Sequence, residues 1–182
     1  MLRYAPRLAP VPEGAARKIA ISLGADVPSQ LEPGLSLGTG AGEVLEAASV
    51  PDHSLVLVPQ AFALSTPEVY READRLGLVR SAEELATLRD GVLAGSAPFV
   101  NDLQEAALSL RPEIGGVLDL VGRAGADVAM VSGSGPTVIG VVWGADRLDD
   151  ASRAADELRD RYPRALAATP IHKGTRAGAP ND

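Results

Sequence analysis

Between Asp127 and Trp143 the chain reads DVAMVSGSGPTVIGVVW: two apolar runs rich in β-branched residues, separated by Ser-Gly-Ser-Gly-Pro-Thr. Runs of this kind bounded by turn formers read as strands. A connection this short can only return the chain antiparallel to itself. An isolated hairpin is marginal in water. The remaining residues must therefore supply further strands and a layer of helices that covers their apolar face.

The rest of the sequence meets that demand. Ser54–Pro59 (SLVLVP) reads as a buried strand, Gly34–Glu43 (GLSLGTGAGE) as a short strand entering a glycine turn, and Arg164–Thr169 (RALAAT) as a last strand. Glu13–Leu23 places Ala16, Ile19, Ala20 and Leu23 on one helical face, with Gly24 as the stop. Ser65-Thr66-Pro67 opens a helix running to Leu76, in the pattern of a cap followed by proline at the first helical position. Ser81 and Glu84 have the spacing of a capping box at the head of the next helix, to about Ala94. Asn101–Leu110 puts Leu103, Ala106, Ala107 and Leu110 on one face; Pro112–Gly125 and Ala145–Tyr162 are two more helices. From residue 54 the order is β-α-α-α-α-β-β-α-β. This predicts an α+β fold, a ferredoxin-like α/β sandwich with an antiparallel sheet and helices on one face.

Composition narrows the function. With aromatics at 3%, Leu, Val, Ile and Ala must do the packing, and a net charge of -7 argues against a nucleic-acid binder. It leaves room for a nucleotide substrate, because backbone N–H groups can hold phosphates. The absence of cysteine excludes disulfides and thiolate metal sites and fits a reducing compartment. No apolar run approaches the roughly 20 residues of a membrane span. The opening MLRYAPRLAPVPEG, interrupted by prolines 6, 10 and 12, has no continuous apolar segment and is not read as a signal peptide. A cytoplasmic protein without membrane partners is expected.

Three stretches bear on chemistry. In VSGSGPTV, Gly133 and Gly135 permit turn angles closed to other residues and leave amides exposed in an anion-sized concavity. The same residues also suit a plain hairpin turn. No Gly-Lys-Ser/Thr follows, so this is not a P-loop. LGTGAGE (Leu37–Glu43) fails the dinucleotide fingerprint, because Glu43 stands where the last glycine belongs. Asp26, after Gly-Ala and before Val-Pro, is suited either to a turn or to drawing off a hydroxyl proton. Judged locally, Thr66 caps its helix, Trp143 is a core residue, and the charges from Asp146 to Arg161 are a solvated helix face. His53 and His172 lack acidic partners at metal spacing, so no metal site is assigned.

LGADVP (Leu23–Pro28), LGTGAGE, STPEVY (Ser65–Tyr70), NDLQ (Asn101–Gln104) and SGSGPT (Ser132–Thr137) occur in this order. Together they resemble the GHMP-type small-molecule kinases. Within these the similarity is greatest to the branch that acts on 4-diphosphocytidyl-2-C-methyl-D-erythritol in the non-mevalonate route to isoprenoids. The resemblance spans Ala16 to about Gly174. SGSGPT is common to the superfamily, including homoserine kinase-like enzymes, whereas the first three motifs together are more specific. The resemblance implies that Asp26 is the catalytic carboxylate that orients or deprotonates the acceptor hydroxyl. It implies that Ala41 makes a backbone contact with substrate, and that Thr66 and Tyr70 line the cytidine-diphosphate site. Gly133, Ser134 and Gly135 become a loop bordering the active site, and ATP with magnesium the donor.

The family's glycine- and serine-rich ATP loop, its partner lysine and its cytosine-stacking aromatics have no counterpart in this sequence. The expected organisation is therefore a remnant of the N-terminal kinase domain over residues 1–33, a GHMP kinase C-terminal domain over 34–174, and a disordered tail over 175–182. Residues 1–33 are expected to be poorly ordered or docked unusually, and the isolated chain to be inactive. Two other readings stay open: a non-catalytic module that pairs with a separate N-terminal half or forms a homodimer, and a different GHMP kinase of the homoserine kinase type.

Overall fold

The computed structural model describes residues 12–31, 34–96 and 99–170. The first 11 residues, His172 and the tail expected to be disordered lie outside them. The described residues form two compact units, one ending at Ser49 and one spanning Val50–Pro170. The residues from Gly34 to Ser49 thus group with those before them, whereas the sequence reading put its boundary after residue 33.

The first unit contains α1 (Glu13–Leu23), a 3-10 turn (Pro28–Leu31), and a hairpin of β1 (Ser36–Thr39) with β2 (Val44–Ala47). α1 ends at Gly24, as its sequence requires. Of the apolar stripe, Ala20 is buried, but Ile19 and Leu23 are 56% and 69% exposed. The side chains that usually drive an amphipathic helix onto a core are therefore uncovered by the described residues of this unit.

The second unit runs β3 (His53–Val58), α2 (Thr66–Leu76), α3 (Ala82–Leu93), α4 (Gln104–Leu110), α5 (Glu113–Arg123), β4 (Val128–Val131), β5 (Val138–Trp143), α6 (Arg147–Arg159) and β6 (Leu166–Ala168). The order of helices and strands is the expected one, and the fold is α+β. The sheet order is β4-β5-β3-β6, antiparallel throughout. The register opposes Val58 and Val131 to Val138, and Val56 to Gly140 and Ala167. Alternation along each strand then puts Val56, Val58, Val131, Val138 and Val142 on one face. α5 meets this face through Ile114, Val117 and Val121, and α6 through Ala151, Ala154, Ala155 and Leu158, forming a single buried cluster. Both sets recur at helical spacing. The alanines of α6 let that helix lie close to the sheet. Gly140 does the same for α5: a Cβ there would stand 2.6 Å from Val121 Cγ1 and 2.7 Å from Ala126 Cβ.

Ser54 lies on the same face, fully buried, with no hydrogen-bond partner for its hydroxyl among the described residues. α2 packs on α4 through Val69, Ala73 and Ala106. The Ser81–Glu84 capping box forms as predicted, yet α3 has no buried residue. Trp143, expected in the core, is half-buried and packs its ring against His53 and Phe99 at 5.3 Å between centroids in each case. No described helix is long and apolar enough to cross a membrane.

Candidate functional site

The residues singled out by sequence fall into two groups, one in each unit. In the first unit, Asp26 sits in the turn between α1 and the 3-10 turn. An aspartate chosen for a turn uses its carboxylate to bond nearby amides. Asp26 does not: its carboxylate has no hydrogen-bond or ion-pair partner among the described residues, while its backbone carbonyl accepts the Ser29 hydroxyl at 2.8 Å. It is exposed and lines a cavity of about 750 Å³ with Ser29, Gln30, Gly38 and Gly42.

Gly42, in the Gly40–Glu43 turn that joins β1 to β2, lines that cavity, and it lies directly on the segment carrying Asp26. Gly42 has φ of +89°, and a Cβ at that position would come within 2.2 Å of the Ala25 carbonyl oxygen. Only glycine allows both the angle and the approach. Arg17 of α1 clamps the turn by donating to the Glu43 carbonyl at 2.7 Å, and the Ala41 amide donates to the Glu43 carboxylate at 2.6 Å. Asp26 and the turn of Ala41 are thus brought together. The Ala41 amide, the donor available for a substrate contact, is engaged by Glu43.

In the second unit, Thr66 is not the cap that local sequence suggests. Ser65 occupies the cap position, without a side-chain bond, and Thr66 is the first helical residue. Its hydroxyl is instead 2.8 Å from the Ser134 hydroxyl of the glycine loop. Tyr70, one turn further along α2 and so on the same helix face, is 55% exposed. Glu72 holds α2 against α4. It takes two bonds from Arg75, at 2.7 and 2.6 Å, and one from the Ser109 hydroxyl at 2.5 Å. These bonds, that from Arg75 first, lower its carboxyl from an ordinary 4.5 to about 2.

The glycine loop closes the β4–β5 hairpin. Ser132 N–H donates to the Thr137 carbonyl at 2.8 Å and Gly135 N–H to the Ser132 carbonyl at 2.9 Å. Gly133 and Gly135 have φ of +56° and +81°, and the Gly135–Pro136 bond is cis. The amides of Gly133 and Ser134 find no acceptor among the described residues. Two adjacent unpaired amides in a bend are a geometry that can receive an anion.

Two further residues reach this loop without having been assigned a role from sequence. The Asn101 amide nitrogen donates to the Val131 and Gly133 carbonyls, both at 2.8 Å, and its oxygen accepts the Leu103 amide at 3.0 Å. Gln104 Oε1 accepts the Val131 amide at 2.9 Å. Both belong to the NDLQ motif, but the loop they bind is about 30 residues further on. Sequence spacing has no means of expressing that contact. Both also line a second cavity, of about 500 Å³, with Arg80, Asp102 and Met130. Among the described residues, no three His, Cys, Asp or Glu side chains are grouped to hold a metal ion.

Residues 78–164 match the family model described as GHMP kinases C terminal. The chain is 39% identical over 171 residues to a 4-diphosphocytidyl-2-C-methyl-D-erythritol kinase of Nocardioides sp., an alignment covering 88% of this chain and 55% of the relative. It is 42% identical over 163 residues to the similarly named protein of Streptomyces coelicolor, covering 81% and 54%. The chain spans about half the length of these relatives. Among solved structures it is similar to a 4-(cytidine 5'-diphospho)-2C-methyl-D-erythritol kinase, with TM-score 0.67, 30% identity, and coverage of 84% of this chain and 56% of that one. A homoserine kinase from Cytophaga hutchinsonii shares the fold, with TM-score 0.54 at 15% identity.

Proposed function

We propose that this chain, whose residues 78–164 match the GHMP kinases C terminal model, is the substrate-side portion of a kinase that transfers a phosphoryl group from ATP to the 2-hydroxyl of 4-diphosphocytidyl-2-C-methyl-D-erythritol. The likeness to relatives named for that reaction, over most of this chain, supports the substrate. The observation that carries the chemistry is the Asp26 carboxylate, which lines a cavity against a glycine turn and has no partner among the described residues.

Phosphoryl transfer is mostly positioning and charge stabilisation. In this reading Asp26 orients the acceptor hydroxyl and accepts its proton. The Gly40–Glu43 turn confines the acceptor, and Gly42 lets the backbone come close. Tyr70 and Thr66 line the cytidine-diphosphate side, where Thr66 with Ser134 offers a pair of hydroxyls to a diphosphate or ribose. The free amides of Gly133 and Ser134 hold phosphate oxygens without adding charge.

ATP with magnesium is the donor that the family implies. Magnesium takes one or two carboxylates together with phosphate oxygens and water. Among the described residues Asp26 is the one carboxylate lining its cavity, and the sequence contains no ATP loop of the family's kind. One carboxylate would satisfy magnesium, but without such a loop the described residues do not fit the ATP triphosphate, so no step is routed through it. The 182-residue chain is accordingly read as inactive by itself, requiring a portion that binds ATP.

A coupled ADP-release assay on the pure chain is expected to show no substrate-dependent turnover; clear turnover refutes the inactivity. Calorimetry with cytidine diphosphate separates this substrate from the homoserine kinase alternative, which predicts no binding. In an active complex, Asp26→Asn should lose at least about a thousandfold in kcat if the carboxylate is the base. Its melting temperature should stay within about 1 °C, since an exposed, unpartnered carboxylate holds nothing together.

A further inference from the structure

We propose that Asn101 and Gln104 are positioning residues that set the direction in which the glycine loop presents its amides. The inference rests on the reading of Ser132–Thr137 as a phosphate-facing loop. It adds the residues that make the loop competent.

A trans peptide unit points its C=O and its N–H in opposite directions. Asn101 holds the carbonyls of Val131 and Gly133 on its own side. The N–H groups of the same peptide units belong to Ser132 and Ser134, and both are thereby turned away from Asn101. That of Ser132 is consumed by the Thr137 carbonyl. Among the described residues that of Ser134 has no acceptor, and neither has the adjacent amide of Gly133. Gln104 takes the Val131 N–H, so the last residue of β4 is held on both its donor and its acceptor. A bend of glycines and serines has little rigidity of its own. Here both hydrogens of one side-chain amide fix two of its peptide planes.

The chemistry has a polarity that mere space-filling lacks. Asn101 must donate twice. Aspartate has the same shape but can only accept, and it would face two carbonyl oxygens. Gln104 must accept, and glutamate can still do so.

The test uses the 182-residue chain, with amide hydrogen exchange followed by NMR and cytidine diphosphate titrated by calorimetry. Exchange at Ser132 and Gly135 is normalised to the amides of β3, which removes any global change in stability. Asn101→Ala and Asn101→Asp should each speed loop exchange about tenfold relative to β3, with Asp the worse, and should weaken cytidine diphosphate binding by a similar factor, the scale expected for two lost hydrogen bonds. Gln104→Ala should speed loop exchange, and Gln104→Glu should restore it. Should the Asn101 variants fail to fold, the Gln104 pair decides alone. Unchanged relative exchange in Asn101→Asp, or equal exchange in the two Gln104 variants, overturns the proposal. If the unaltered chain binds no cytidine diphosphate, the substrate reading above fails, and the exchange measurements still decide whether these side chains orient the loop.

Discussion

Replacing Gly140 by alanine tests the packing that holds the hairpin of the glycine loop in place. Gly140 has no positive-φ requirement; its constraint is space. The added methyl would stand 2.6 Å from Val121 Cγ1 and 2.7 Å from Ala126 Cβ, so the neighbours must retreat about 0.8 Å to reach the near edge of ordinary contact. One obstacle is a side chain on the last turns of α5, and the other is a Cβ that cannot move without its backbone. α5 would have to lift from β5. Overpacking of this kind costs about 1–3 kcal/mol. In a unit of this size that is a fall in melting temperature of at least about 3 °C. Equilibrium urea unfolding with two probes should show a lower midpoint at unchanged slope. The Val121→Ala background sharpens the experiment. Alone it opens a cavity and destabilises. Combined with Gly140→Ala it makes room for the new methyl, so the double variant should be more stable than the two single losses together imply. A Gly140→Ala protein as stable as the original, or strict additivity with Val121→Ala, would refute the close seating of α5 on β5.

Ser54→Ala removes a buried hydroxyl that has no partner among the described residues, and should raise the urea midpoint by the equivalent of about 1 kcal/mol. Glu72 is ionised more readily in the folded chain than in the unfolded one, so its contribution is present above the unfolded value of 4.5 and is lost as pH falls through about 2. The stability difference between the original chain and Glu72→Gln, from urea titrations, should be constant from about pH 5 to 7 and shrink steadily below 4.5. Ser81→Ala removes one arm of a formed capping box, worth about 1 kcal/mol to a helix end. Because α3 buries no residue, the loss should appear as faster amide exchange confined to α3, with little change in overall melting temperature.

What the amino-acid sequence determined by itself is local. A glycine pair between two apolar runs demands a hairpin, and Ser81 with Glu84 demands a helix start, because the atoms involved are neighbours along the chain. The element order and the α+β class follow from such signals added end to end. The family motifs marked Asp26, Thr66, Tyr70 and Gly133–Gly135 as worth attention. They did not say what each side chain touches. Thr66 reads as a cap until the fold carries Ser134 to its hydroxyl, 68 residues away. Asp26 reads as a turn residue until its carboxylate is found without a partner among the described residues, against a turn that only Gly42 permits. Strand order, the seating of α5 over Gly140, and the grip of Asn101 and Gln104 on a loop far along the chain were decided by tertiary structure alone. Each depends on which distant residues compete for the same space or the same hydrogen bond, and periodicity along a chain contains no record of that competition.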